Sequence, residues 1–214
     1  MSDTVLTLIR HGQSFANVEP IVESYSCRGL TPLGTSQAEQ LAARFRAEQT
    51  TFDVLYASTL KRARMTAEII APALGLPIIW EDDLHELRVG EVDGMCYADV
   101  TRQYPSFDRG IKDYHVRVAP NGESWNEFAT RCARVLHTIT ATHPGARIAV
   151  VCHGGVIESS FLWALNLNAG ARHGVSFPAH NTAMTVWKQH ISPYDGRLEW
   201  QLSSHNDHTH LRTL

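Results

Sequence analysis

The chain has 214 residues, 43% of them hydrophobic and 19% charged, with a formal net charge of −3 at neutral pH. That size supports one substantial core, and no compositional break or Pro/Gly/Ser-rich linker divides residues 1–214, so a single domain is expected. The slight acidity argues against nucleic acid or an anionic membrane surface as a partner, so a bound anion must be held by a local cluster of cations.

The opening "MSDTVLTLIRHG" has no basic region before its short apolar run. No apolar stretch reaches the ~20 residues of a membrane span, and a cytoplasmic protein is expected. Val5 to Ile9 reads as a strand, and Gly12 permits the tight turn after it. Thr31 before Pro32 caps a helix to about Glu48, with Leu33, Ala38, Leu41, Ala42 and Phe45 recurring at helical spacing. Val54 to Ala57 reads as a second strand and Leu60 to Leu74 as a second helix, with Met65, Ile69 and Ile70 inward and Pro72 a source of a kink in its last turn. "GLP" ends that helix before a strand at Ile78 to Trp80. The segment from Gly94 to Gly122 carries Tyr97, Tyr104, Phe107 and Tyr114 without clean periodicity, and reads as an excursion over the core.

Ser124 with Glu127 forms a capping box that opens a helix burying Phe128, Cys132, Val135, Leu136 and Ile139. A fully apolar strand, Ile148 to Val151, leads into "CHGG" and a helix from about Val156 to Leu165. Strands near Thr182 to Lys188 and Leu198 to Leu202 close the chain. Alternating apolar strands and helices predict a three-layer α/β/α sandwich with a mostly parallel central sheet. Cys27, Cys96, Cys132 and Cys152 lie far apart with no C-x-x-C spacing, so free thiols are expected.

In open α/β sheets, ligands bind outside the carboxyl ends of the strands. Three such ends here supply Arg10 and His11, Arg62, and His153. A lone loop histidine is usually structural, and a basic triplet such as Lys61, Arg62 and Arg64 is usually a solvated helix face. Convergence at strand ends separates Arg62 and the two histidines from that majority. Guanidinium forks and helix N-termini suit a phosphate dianion.

These residues also carry a resemblance. "LIRHGQSFAN" resembles the R-H-G-E/Q-S/T-x-x-N signature of the histidine phosphatase superfamily, phosphoglycerate mutase-like branch, through Arg10, His11, Gly12, Gln13, Ser14 and Asn17. "LTPLGTSQA" is similar to its next helix start, and "ASTLKRARMTA" matches S-x-L-x-R-A-x-x-T-A. "DLHELRVGEVDG" matches L-x-E-x-x-x-G through Leu84, Glu86 and Gly90, "VVCHGGVI" supplies His153, and "NDHTHL" resembles the ending of phosphatases of this branch. One departure is Val92, where the family places a tryptophan, and a changed pocket wall is expected there.

The resemblance implies a phosphomonoesterase for small phosphorylated metabolites, with His11 as a nucleophile that forms a phosphohistidine later hydrolysed by water. Nearby arginines favour neutral imidazole, the nucleophilic form. Arg10, Arg62 and His153 would stabilise transition-state charge, with Asn17 and backbone N–H groups such as that of Gly154 completing the phosphate site. Glu86 is implied as general acid, and like charge from a bound dianion pushes such a carboxyl toward its neutral form. By sequence alone Glu81, Asp82 and Asp83 crowd the same stretch.

No cofactor or metal is expected, since His205, His208 and His210 fit no standard zinc spacing. The expected partner is a small phosphomonoester, and a homodimer is left open. Two rivals are a phosphoglycerate mutase-type phosphotransferase and a silent binding protein. The mutases' glycerate-binding segments read "ESYSCRGLT", "GEVDGMCYADV" and "GIKDYHVRVAP" here, where Arg109, Lys112 and Arg117 are among the few, scattered cations of the insertion at about 94–122. A silent protein would not keep every catalytic position filled with a competent residue.

Overall fold

The computed structural model describes residues 3–167, 170 and 175–211. In chain order its strands are β1 (Thr4–Arg10), β2 (Val54–Ala57), β3 (Ile78–Trp80), β4 (Arg147–Cys152), β5 (Met184–Ile191) and β6 (Leu198–Asp207). Its helices are α1 (Pro32–Ala47), α2 (Lys61–Leu74), α3 (Tyr97–Gln103), α4 (Ser106–Lys112), α5 (Trp125–Thr142) and α6 (Gly154–Ala164). The sheet order is β3-β2-β4-β1-β5-β6. The first four strands are parallel, and β5 and β6 add an antiparallel margin.

Side-chain alternation along the central strands divides the interior in two. Leu6, Leu8, Ile148, Val150 and Cys152 pack with Phe128, Leu136 and Ile157 of α5 and α6. Ile9, Leu55, Ala57, Ala149 and Val151 pack with Leu41, Phe45, Ala67 and Ile70 of α1 and α2. A period of two against helical stripes of period 3.6 yields the predicted three layers, with both sheet faces covered. Among the described residues no helix is long and apolar enough to cross a membrane. All four cysteines are free.

The helix starts follow their caps. Thr31 Oγ1 accepts from Gly34 N at 3.1 Å with Pro32 at the first helical position, and the Ser124–Glu127 box closes with bonds of 3.2 and 2.8 Å. Several expectations need correction. Leu33 is exposed, because the buried stripe of α1 runs through Gly34, Gln37, Ala38, Leu41, Ala42 and Phe45, one position round the helix. Met65 and Ile69 are only half-buried, while Arg62, Ala63 and Thr66 occupy the inner face of α2. The end of that helix is as expected, at Leu74 before Gly75, whose φ of 65° is left-handed. The excursion at 94–122 contains α3 and α4, β5 runs Met184–Ile191 and so starts and ends later than expected, β6 extends to Asp207, and α6 begins at Gly154. Val92 is fully buried in the core, and the cavity described below is walled instead by Leu87 and Val89.

The loop after β1 touches α1 backbone to backbone. A Cβ at Gly34 would collide with the Gln13 carbonyl, and one at Gly12 with that of Gly34. Gly34→Ala should therefore destabilise the fold by about 1–3 kcal/mol, since overpacked backbone cannot rotate away as a side chain can. An unchanged urea midpoint would contradict this close approach.

Candidate active site

Three neighbouring strands, β2, β4 and β1, deliver the polar residues to one corner. Arg10 ends β1 and pairs in register with Cys152, the last residue of β4. His11 N then donates to Cys152 O at 3.0 Å, and Ser58 N to Val151 O at 3.0 Å, so the chains leave the sheet together. The rings of His11 and His153 lie 5.1 Å apart. Long-range bonds fix the loop: Gly12 N to Thr66 Oγ1 at 3.0 Å, Gln13 N to Gln37 Oε1 at 2.8 Å, and Asn181 Nδ2 to His11 O at 3.0 Å.

The two bonds of the His11 ring demand the same tautomer. Nδ1 lies 2.7 Å from Gly12 O, which can only accept, and Arg62 Nε, which can only donate, lies 3.2 Å from Nε2. The proton is therefore on Nδ1 and the lone pair on Nε2. Burial holds the His11 imidazole well below its ordinary value of 6.5, assisted by the charges of Arg62 and then Arg10. Burial does the same to His153, again with Arg62 next. Both are neutral near pH 7.

Around that lone pair stand polar atoms with nothing to bond. Arg10 Nε, Arg62 Nη1 and His153 Nδ1 are buried and have no hydrogen-bond partner. The other His153 nitrogen, Nε2, lies 2.8 Å from Ser58 Oγ; when that hydroxyl donates, Nδ1 carries a free N–H. An unsatisfied buried donor costs about 1–3 kcal/mol, so several at one place mark a site built for an acceptor-rich anion.

Glu86 faces the same corner, held at both oxygens. Oε1 accepts from Leu87 N at 3.1 Å and Oε2 from Gly155 N at 3.0 Å, at the start of α6. A Cβ at Gly155 would collide with Glu86 Oε1, so glycine is needed for this approach. Arg131 of α5 secures the segment from behind by donating to the carbonyls of Asp83, His85 and Glu86 at 2.7, 2.9 and 3.2 Å while pairing with Glu123 at 2.7 Å.

A cavity of 320 Å³ opens here, bringing Arg10, His11, Asn17, Arg62 and Glu86 into one wall. Asn17 Oδ1 accepts from Ser14 N, Ser14 Oγ and Asn181 Nδ2, leaving its amide N–H groups for a ligand. Of the predicted residues, His153 and Gly154 are not part of this wall. His153 is fully buried, and Gly154 packs on the Arg10 guanidinium while the next residue, Gly155, lines the cavity. Glu23, Glu158, Gly155, Ile21, Leu87 and Trp125 line it without having been foreseen. Only Gly155 left a trace in the sequence, as the second glycine of "CHGG".

Of the aromatic excursion, Tyr97 and Phe107 reach the wall, while Tyr104 packs against the core. The C-terminal histidines serve the fold: His205 bonds Thr185 Oγ1 at 3.0 Å, His210 bonds Thr182 Oγ1 at 2.9 Å, and His208 stacks on His180 at 4.1 Å. Among the described residues no three His, Cys, Asp or Glu side chains converge as a metal site requires.

Residues 6–207 match the family model of the histidine phosphatase superfamily, branch 1. The chain belongs to this superfamily. It is 35% identical over 161 residues to phosphoglycerate mutase-like protein 4 of Arabidopsis thaliana, covering 73% of this chain and 69% of that one. A metal-independent phosphoserine phosphatase of the same plant is 32% identical over 164 residues, covering 74% and 68%. Among solved structures, a phosphoserine phosphatase variant from Entamoeba histolytica in complex with phosphoserine superposes with a TM-score of 0.76 at 26% identity, over 97% of this chain and 99% of that one. An α-ribazole-5′-phosphate phosphatase from Escherichia coli, described as putative in its own report, shares the fold with a TM-score of 0.81 at 24% identity over 96% and 97%.

The histidines make this superfamily member acid-sensitive in a calculable direction. His11 and His153 are held below 6.5, and burial lowers His85 and His210 to about 4. A folded-state pKa below the unfolded value means the unfolded chain takes up protons that the fold refuses, so stability falls as pH drops through 6.5. For His85 and His210 the loss is complete near pH 4, where the folded groups protonate too. Urea titrations at about pH 7.5 and about pH 5 should show lower stability at the acid value, with a smaller drop in His85→Gln. Equal stability at both would contradict neutral buried histidines.

Proposed function

We propose that the protein is a metal-independent phosphomonoesterase for small phosphorylated metabolites, acting through a phosphohistidine on His11. The observation that carries this reading is the His11 Nε2 lone pair set among the unpartnered N–H groups of two arginines. A neutral imidazole whose Nε2 lone pair carries no proton and is met only by the 3.2 Å contact from Arg62 Nε is a nucleophile once that guanidinium turns to a phosphoryl oxygen, and unpartnered cationic donors around it suit such oxygens. The named phosphatases among the relatives support the same chemistry.

In the first step the Nε2 lone pair attacks phosphorus as the ester P–O bond breaks, and the departing oxygen takes a proton from Glu86. Arg10 and Arg62 hold the non-bridging oxygens, Asn17 donates through its amide, and His153 offers Nδ1 as transition-state charge builds. In the second step water attacks the phosphohistidine and gives its proton to the Glu86 carboxylate. The N–P bond breaks and inorganic phosphate leaves. The cations supply the electrostatics that a metal supplies in other phosphatases, so the scheme needs no cofactor.

Hydrolysis is favoured over mutase chemistry by the cavity's charge. A mutase must retain a doubly phosphorylated intermediate, yet among the described residues the cations on the wall are Arg10 and Arg62, both engaged by the first phosphate. Lys112 is exposed, and Arg117 is paired with Glu127 at 2.6 Å on the surface.

Phosphate release from p-nitrophenyl phosphate should persist in EDTA and vanish in His11→Ala. Arg62→Ala should lower kcat by roughly 10²–10³, the scale for one preorganised oxyanion donor. Near-normal turnover in either variant would place the chemistry elsewhere. Replacing Glu86 by Gln should slow an alkyl phosphate far more than p-nitrophenyl phosphate, whose leaving group hardly needs a proton. Equal losses on the two substrates would remove Glu86 from the acid role.

A further inference from the structure

The cavity has lining residues that the phosphoryl chemistry does not use. Besides the charged groups at the strand ends, its wall includes Ile21, Leu87, Tyr97, Phe107 and Trp125, an apolar and aromatic set joined by Glu23. The Glu23 side chain is only 2% exposed. Its Oε1 accepts from Arg28 Nε at 2.8 Å, while Oε2 is buried with no hydrogen-bond partner. Arg28 in turn bonds Glu19 at 2.8 Å, so one cation serves two carboxylates and the group keeps a net negative charge. An unpartnered carboxylate oxygen in an apolar wall is costly unless something donates to it.

Resting on the phosphatase reading, we propose that Glu23 selects the leaving group: an apolar or aromatic alcohol or phenol that carries an ammonium or hydroxyl donor and no carboxylate. The body of such a group fits between the aromatic and aliphatic side chains, and its N–H or O–H reaches Glu23 Oε2. A carboxylate beside Glu23 meets a like charge whose one cationic partner, Arg28, is shared with Glu19. Discrimination works by repulsion as well as attraction, because an anionic leaving group must desolvate beside like charge.

Calorimetry with two non-hydrolysable phosphonates tests this independently of turnover: benzylphosphonates bearing a para aminoethyl or a para carboxyethyl arm. The wild-type protein should bind the amine at least about tenfold more tightly, the scale of one charge-assisted hydrogen bond. Glu23→Gln, nearly isosteric, should collapse that ratio; a general loss of affinity cancels within it. Equal affinities or a preference for the carboxylate in wild type would overturn the proposal without any variant being needed, as would a ratio unchanged in Glu23→Gln. Phosphate release from the matching aryl phosphates reports separately on the phosphatase reading: discrimination in binding with no turnover would sink that reading alone, and turnover without discrimination would sink the role of Glu23 alone.

Discussion

Two guanidinium groups and two imidazoles share one buried corner of the sheet, and the corner holds together only while the imidazoles are neutral. A protonated His11 would stand beside Arg62 with a donor facing a donor, where the 3.2 Å contact now joins a donor to a lone pair. Like charge and desolvation both resist that protonation. The neighbouring geometry follows from this constraint. Glu86 supplies compensating negative charge to Arg10. Arg10 is further held by the Ala179 carbonyl at 2.5 Å, and Thr66 and Asn181 fix the loop so that the Gly12 carbonyl keeps the Nδ1 proton in place. What remains unpaired among these cations is what an anion can use.

The sheet order supplies the convergence. Because β4 lies between β1 and β2, parallel to both, three carboxyl ends that are far apart in sequence open on the same side, the outer two each one strand spacing from β4. Placing His153 directly after the middle strand puts it between the other two contributors. It therefore meets His11 on one side and Ser58 on the other.

This part of the molecule was legible in the sequence, since strand ends announce themselves by an apolar run followed by His and Gly, and helix starts by Thr-Pro or Ser-x-x-Glu. Much of the rest was not, for physical reasons. Asn181 anchors a loop 170 positions upstream, and Arg131 secures carbonyls more than forty positions away. Such bonds leave no periodic signature. The short helices α3 and α4 span seven residues each, and the Cys96 side chain does not cap α3, so neither pattern nor cap revealed them. Leu33 misled because a first-turn leucine counts toward periodicity whichever way the helix is turned. Glu23 looked like any loop carboxylate; its interest lies in a neighbour that satisfies only one of its oxygens.

The cavity wall is built by two means. At the strand ends, backbone bonds fix the charged groups, so the geometry there is as rigid as the sheet. The remaining wall comes from loops and from α3, α4 and the start of α5, elements attached to the sheet by apolar contacts such as Val100, Phe107 and Val118 in the larger core. Apolar packing sets volume and shape but tolerates exchange of side chains of similar size. A change on that wall can therefore alter the shape of the cavity without disturbing the charged groups at the strand ends. Glu86 joins the two, since it lies in the loop after β3 and is tied to the α6 start through the Gly155 N–H. That tie keeps its carboxylate in register with the strand-end histidines.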